Sequence, residues 1–432
     1  MFDYNDAVAF LDTRADYIRT GRVTDPSLDK IRRLMELSGD PQASYPVIHV
    51  TGTNGKGSVT QMITRLLAAQ GLSVGTVTSP HLHRPNERMT LDARPIDDDE
   101  FAEQIEAVSR VEAAAGFRAS YFELTVAAAY RWFSDIAVDA AVIEVGMLGR
   151  WDATNIADGQ VAVVTNVDWD HAQFAGDSLL AIATEKAGIV KPGSTLVLGV
   201  TQPELQVPFR AGGAIEVIGR DEEFGCEVNE LALGGRLVDL RTPTSIYPGV
   251  FVPLHGRHQG DNAAVALAAA EAFFGQPLSM EVVAEAFAAV NWPGRFEVLG
   301  HQPLVIVDGA HNPHGADACA GVFSSDFDPA GRRILVVGFL SSQNPTAMLS
   351  ALRADEADLV ICCTPPTARA VPADVTARAA RRLGCDNVVV VADIAKACDR
   401  AIDGADGDDA VLVTGSLYVV GEARAHLRTR IS

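Results

Sequence analysis

The 432-residue chain is 48% apolar and 21% charged with no long biased tract, a composition that excludes a disordered or fibrous protein and a length that exceeds one ordinary core. Its 56 Asp+Glu against 35 Lys+Arg leave a formal charge of -21, which opposes nonspecific attraction to nucleic acid or an anionic membrane, so an anionic ligand must be held by local devices. Six cysteines without a CxxC pair, an N-terminus without a basic-then-apolar segment and no apolar run of the roughly 20 residues that span a bilayer lead to the expectation of a cytoplasmic protein with reduced thiols.

Residues 1–40 read as helices, with Val8, Phe10, Leu11 and Ile18 on one apolar face and Leu28, Ile31, Leu34, Met35 and Leu37 on another. Val47-Ile48-His49-Val50 is a short apolar strand, TGTNGKGS a glycine-rich turn, and VTQMITRLLAAQG a helix stopped by Gly71. A strand in LSVGTVTSP, a polar loop through Arg94, a helix capped near Asp97-Asp98-Asp99 and a helix around FELTVAAAYRWF follow. Residues 140–145, 162–165 and 195–198 read as strands, and 179–187 as a helix between the last two. Such alternation predicts a doubly wound parallel sheet.

Residues 203–255 suggest a small antiparallel excursion, after which an Ala-rich helix starts near Asn262. Pro293 and Gly294 interrupt the helical pattern, and LVIVD, RILVVG, ADLVICC, NVVVVAD and AVLVTG then form a second alternating series. The expected division is a first domain over 1–290, a linker over 291–298 and a smaller α/β domain over 299–432.

Thr53, Asn54, Gly55, Lys56, Gly57 and Ser58 lie between a strand and a helix, where backbone N–H groups and the helix's positive end can cradle phosphates. Lys56 would reach the outer phosphates and Ser58 a magnesium ion, although the spacing departs from GxxxxGK[ST]. Glu144 ends an apolar strand and reads either as a magnesium ligand or as a capping or surface glutamate. Asp168, Asp170 and His171 follow another strand and face the same edge. Phe122 reads either as a stacking platform for a flat ring or as a core residue. DGAHNP and TGS follow two strands of the second series, and from the residues alone they read as loop and cap chemistry.

Taken in order, TGTNGKGSV, SPHL, NERM, EVGMLGRWDATN, DHAQFAGDSLLAIATEKAGIVKPG, GRHQGDN, PGRFE, DGAHNP and TGSLYVVGEAR resemble the folylpolyglutamate synthase and dihydrofolate synthase branch of the Mur ligases over nearly the whole chain. The resemblance implies an α/β fold with a P-loop-containing central domain, whose parallel-rich sheet is flanked by helices, and a smaller Rossmann-like C-terminal domain. It implies an ATP-dependent ligase that phosphorylates the carboxylate of a folate or dihydropteroate and joins it to L-glutamate. Ser58, Glu144 and His171 would then ligate Mg2+, and Lys186 would be carbamylated. Asn262 would meet the adenine, Arg295 and Asp308 the nucleotide, and His311 and Ser416 the glutamate. Ser79, His81, Phe122 and Asp152 would surround the pterin or its linked carboxylate.

Two segments depart from the family pattern: GMLGRWDATN stands for GLGGRLDATN, and GFLSSQNP replaces an Asp-Lys-Asp segment. The rival readings are a cell-wall Mur ligase, against which SPHL and NERM speak, and a nucleotide-binding scaffold that has lost the reaction. Partners are expected to be small molecules only, with no nucleic acid, no membrane and a monomeric state.

Overall fold

The computed structural model describes residues 1–15, 26–169 and 172–431, and the expectations for Ile18, Asp170 and His171 lie outside these residues. The chain divides into two compact units, the first running to Asn291 and the second from Trp292 onward, with Leu254–Gly256 belonging to the second.

Among the described residues, the first unit holds a sheet of β1 (Val47–Thr51), β2 (Val74–Val77), β3 (Met89–Leu91), β4 (Arg94–Pro95), β5 (Ala140–Glu144), β6 (Val161–Val164), β7 (Thr195–Leu198) and β8 (Glu216–Gly219). The order is β4-β3-β2-β5-β1-β6-β7-β8, parallel from β2 to β8 and antiparallel at the β3–β4 edge. β1, β5 and β6 are buried along their whole length, which explains their unbroken apolar runs: a strand covered by helices on both faces has no polar side to alternate with.

The helix Lys56–Ala69 lays Val59, Met62, Ile63, Leu66 and Leu67 into this core with no exposure, each contributing about 1.5–3 kcal/mol of transfer free energy. Asp97 and Ser120 cap the helices Asp98–Ala115 and Tyr121–Asp135 through their side chains; the first cap was legible in the sequence, the second was not singled out. On the helix Asp29–Leu37, Ile31, Leu34 and Met35 are buried as expected, but Leu37, assigned to the same apolar face, is exposed.

β3 and β4 occupy part of the segment expected as a polar loop; strands of three and two residues are too short to show a period. The excursion after β8 is the antiparallel sheet of β9 (Gly225–Ala232), β10 (Gly235–Arg241) and β11 (Ile246–Val252). The Ala-rich helix runs His258–Phe274, starting four residues earlier than Asn262 because polar GRHQGDN hides its first turn. A short helix, Pro203–Arg210, also escaped the sequence pattern, its interior Pro208 masking the periodicity.

The second unit contains β12 (Glu297–His301), β13 (Leu304–Val307), β14 (Arg333–Val337), β15 (Leu359–Cys362), β16 (Val388–Val390) and β17 (Ala410–Thr414), in the order β12-β13-β17-β14-β15-β16. All neighbours pair in parallel except β12 with β13. The five strands expected from LVIVD onward form as read, and β12 is the addition, an edge strand with a register shift between Val298 and Gly300. The six cysteines are free thiols, and all but half-buried Cys226 are buried.

Candidate active site

Four neighbouring strands of the first unit, β2, β5, β1 and β6, end on the same side of the sheet because they run parallel. The loops after them are TSPHL, the segment beginning at Glu144, the TGTNGKGS turn and TNVDW. The motifs far apart in sequence thus share one sheet edge, the usual ligand site of a doubly wound fold.

The glycine-rich turn needs glycine at two places. Gly52 sits at φ +152°, and a Cβ there would lie 1.8 Å from the Thr165 hydroxyl; Gly55, at φ +80°, would place one 2.5 Å from Oδ1 of Asn262. Asn262, on the helix His258–Phe274, therefore closes directly over the turn. Asn166 holds the other side: its Oδ1 accepts from Asn54 N at 2.9 Å and its Nδ2 donates to Asn54 O at 3.1 Å. The Thr165 hydroxyl donates to the same Asn54 oxygen at 2.6 Å, and Thr53 Oγ1 exchanges bonds with the backbone of Asp168. Thr165 and Asn166 were not singled out from sequence, although their place directly after β6 is the available signal.

Lys56 Nζ folds back onto the turn, donating to Gly52 O at 3.0 Å and Thr53 O at 3.1 Å. Lys186, at the end of the helix Leu179–Lys186 and only 2% exposed, donates to that same Gly52 oxygen at 2.6 Å. Two ammonium groups therefore converge on one carbonyl. Lys186 is seated by close backbone approach, since a Cβ on Gly149 would lie 2.8 Å from its carbonyl oxygen and one on Gly188 2.5 Å from Arg150 Cα. Asn155 fastens the two segments by donating to both Arg150 O and Gly188 O at 3.0 Å.

Glu144 pairs in register with Val50 and is 4% exposed, with Oε2 accepting from Ser79 N at 2.9 Å. Ser58 is buried in the first turn of the helix that follows the glycine-rich loop. A carboxylate and a hydroxyl are the hard oxygen donors that magnesium takes, so the chemistry of this pair fits the ion. No group of three or more His, Cys, Asp or Glu that could hold a metal occurs among the described residues, and His171 lies outside them.

The SPHL and NERM segments are one structure. Glu87 accepts backbone N–H bonds from Leu82, His83 and Arg84, and Thr78 N donates to Arg88 O at 3.0 Å. Arg88 Nε donates to His81 Nδ1 at 2.8 Å, which fixes the neutral tautomer with the proton on Nε2. Burial first, then the charges of Arg88 and His83, push the His81 pKa down to about 3.

Phe122 packs against Gly146, where a Cβ would lie 2.5 Å from its Cζ. Asp152 braces the same loop: Oδ2 accepts from Met147 N at 2.8 Å, and Oδ1 accepts from Thr154 N at 3.0 Å and the Thr154 hydroxyl at 2.5 Å. Burial raises its pKa against these bonds. Beneath it His49 Nε2 meets Thr154 Oγ1 at 2.9 Å. The threonine's one proton goes to Asp152, so His49 must donate, and this buried chain supports the loop that carries Gly146.

Asp308, Arg295, His311 and Ser416 lie in the second unit. Asp308 accepts from Phe296 N and Ala310 N, each at 2.9 Å, tying the PGRFE turn to the DGAHNP loop, and Arg295 donates to Gly309 O at 3.2 Å. Exposed His311 holds Nδ1 3.0 Å from Gly309 O, an acceptor, so Nδ1 carries a proton. Ser416 is buried at the start of the helix Leu417–Ile431, its hydroxyl accepting from Val419 N at 3.3 Å.

Residues 50–270 match the Mur ligase middle domain, and 294–417 match the Mur ligase glutamate ligase domain. The dihydrofolate synthase/folylpolyglutamate synthase of Mycobacterium tuberculosis is 37% identical, over 93% of this chain and 90% of the relative. The chain belongs to the folylpolyglutamate synthase and dihydrofolate synthase family of Mur ligases. A structure of Mycobacterium tuberculosis folylpolyglutamate synthase complexed with ADP superposes with a TM-score of 0.91 at 35% identity, covering 98% of each chain. The Escherichia coli FolC structure in complex with DHPP and ADP gives 0.88 at 27%, covering 99% of this chain and 98% of the other. As a family member, the chain is an ATP-dependent carboxylate–amine ligase with the α/β architecture expected from its motifs. No described helix is long and apolar enough to cross a membrane.

Proposed function

We propose that the chain adds L-glutamate to the carboxylate of a folate or dihydropteroate through an acyl phosphate, and that the residues gathered at the β2-β5-β1-β6 edge bind ATP and activate that carboxylate. The observation that carries this reading is the meeting of Lys56 and Lys186 on Gly52 O beside the strand bearing Glu144.

A carboxylate is a poor electrophile at neutral pH, and phosphorylation gives it a leaving group. Its oxygen attacks the terminal phosphorus of ATP, and the bond to ADP breaks. Lys56 swings from the turn's carbonyls to the phosphates, whose charge also meets the N–H groups of the turn and the positive end of the helix Lys56–Ala69. Ser58 and Glu144, with His171, would hold Mg2+, which supplies further positive charge when bound. Asn262 sits where it can limit how the nucleotide enters the turn.

Ser79, His81, Phe122 and the loop braced by Asp152 receive the pterin-bearing substrate in this reading, with His81 offering a neutral Nε2–H donor. In the second unit, Arg295 and Asp308 serve the nucleotide, and His311 and Ser416 the incoming amino acid. With Nδ1 committed to Gly309 O, neutral His311 has Nε2 as its proton acceptor, suited to relieving the glutamate ammonium of a proton. The amine lone pair then attacks the acyl carbon, and the intermediate collapses to an amide as phosphate leaves with the C–O electrons and takes the nitrogen's surplus proton. Lys186 is proposed to carry a carbamate, which turns a buried ammonium into an anion. A monomer working in the cytoplasm completes the reading, which the free thiols support.

The test is ATP-dependent ligation of labelled glutamate to dihydropteroate and to tetrahydrofolate, with products weighed by mass spectrometry. Amide product with either acceptor supports the proposal. ATP binding with no product from either refutes it and leaves the scaffold reading.

A further inference from the structure

The segment after β14 is where the chain leaves the family pattern, and its Gln343 makes contacts that none of the motifs explains. β13, β17 and β14 are adjacent parallel strands, so the loops carrying His311, Ser416 and Gln343 emerge side by side. Gln343 joins all three: Nε2 donates to His311 O at 2.6 Å and to Gly415 O at 3.0 Å, while Oε1 accepts from Leu340 N at 2.5 Å. Its own N–H closes the turn onto Leu340 O at 2.9 Å.

A primary amide has two N–H donors and one acceptor oxygen, and each is used here. Neighbouring side chains do not duplicate the contacts. Ser341 and Ser342 are exposed, and Asn344 Oδ1 caps the helix Pro345–Ala351 by accepting from Thr346 N and Ala347 N. The junction is tight on its other side as well: Gly415, at φ +107°, would place a Cβ 2.7 Å from Gly338 O, so the TGS loop lies directly on the end of β14.

We propose that Gln343 is a positioning residue for the amino-acid substrate, setting the His311 imidazole and the Ser416 hydroxyl by clamping the carbonyls of His311 and of Gly415. The inference rests on the proposed glutamate ligation. A neutral amide makes these contacts by hydrogen bonding alone. The clamp therefore contributes geometry to glutamate recognition and no charge.

Gln343→Met keeps the side chain's volume and removes its donors, and Gln343→Glu sets a carboxylate against two carbonyl oxygens. Both are compared with wild type for glutamate KM, ATP KM, kcat and thermal midpoint. The expected result is a rise of about tenfold in glutamate KM for Gln343→Met, larger for Gln343→Glu, with ATP KM and the midpoint nearly unchanged. Unchanged glutamate KM in the folded variants overturns the inference, as does an equal rise in both KM values with a fallen midpoint, which marks a merely structural role. A wild-type chain that makes no glutamate adduct overturns the underlying reading instead.

Discussion

Lys186 donates from its buried Nζ to the carbonyl oxygen of Gly52 at 2.6 Å, which places the end of one helix on the first residue of the phosphate-type turn. Carbamylation would leave one N–H on this nitrogen and add two oxygens that share one negative charge, turning the buried cation into an anion. In bicarbonate buffer, native mass spectrometry is expected to find one carbon dioxide added at Lys186. Lys186→Arg keeps the charge and cannot form the carbamate, and it is expected to lose most of its kcat. Full activity in that variant, or no added mass in the wild type, would exclude the modification.

Lys56→Ala is expected to lower kcat by about 10²–10³-fold, the usual cost of removing one group aimed at transition-state charge. The fold should survive, because among the described residues the half-buried ammonium bonds to two carbonyls of its own turn and to nothing else. Single-turnover measurement of ADP release separates lost phosphoryl transfer from lost glutamate attack. An unimpaired burst of ADP would remove Lys56 from the first step.

Gly146→Ala forces a methyl to within 2.5 Å of the Phe122 ring unless the ring moves. Overpacking of this kind costs about 1–3 kcal/mol, and here the half-buried ring can escape. The expected outcome is a modest fall in thermal midpoint with a severalfold rise in KM for the pterin-bearing acceptor and little change in KM for ATP. Equal KM values for the acceptor in variant and wild type would place Phe122 away from that substrate.

His49 is fully buried, and desolvation, followed by the charge of Lys191, pushes its pKa down to about 3. The unfolded chain, with an ordinary histidine pKa, binds a proton below about 6.5 that the folded chain refuses, so stability should fall as pH drops from there toward 3. The slope from this one group is about 1.4 kcal/mol per pH unit within that window. Urea unfolding at a series of pH values checks it, and His49→Gln should flatten the slope. An unchanged slope in the variant would show that another group carries the dependence.

Most of the parallel architecture was legible because buried strands write themselves as runs such as Val47-Ile48-His49-Val50 and Ala410–Thr414, and because glycine turns mark their ends. A helix start was readable where Asp97 caps it, and not where His258 begins a helix in polar residues. The short hairpin of β3 and β4 left no periodic trace. In the site, residue identity suggested Lys56 and Glu144 but could not disclose what each side chain touches. Lys186 was singled out through the family resemblance, but its helix's ending on Gly52 was not readable, and Gln343 carried no signal because an amide between serine and asparagine resembles any loop.

Asn262 faces Gly55 from a helix more than two hundred positions downstream, beyond seven further strands of the main sheet and the whole β9–β11 insertion. On a ribosome, the turn is made early and its cover late. Until that helix emerges, nascent chains hold this glycine-rich loop without its cover. The late arrival of that cover makes completion of the turn a long-range event in the chain, waiting on most of the first unit.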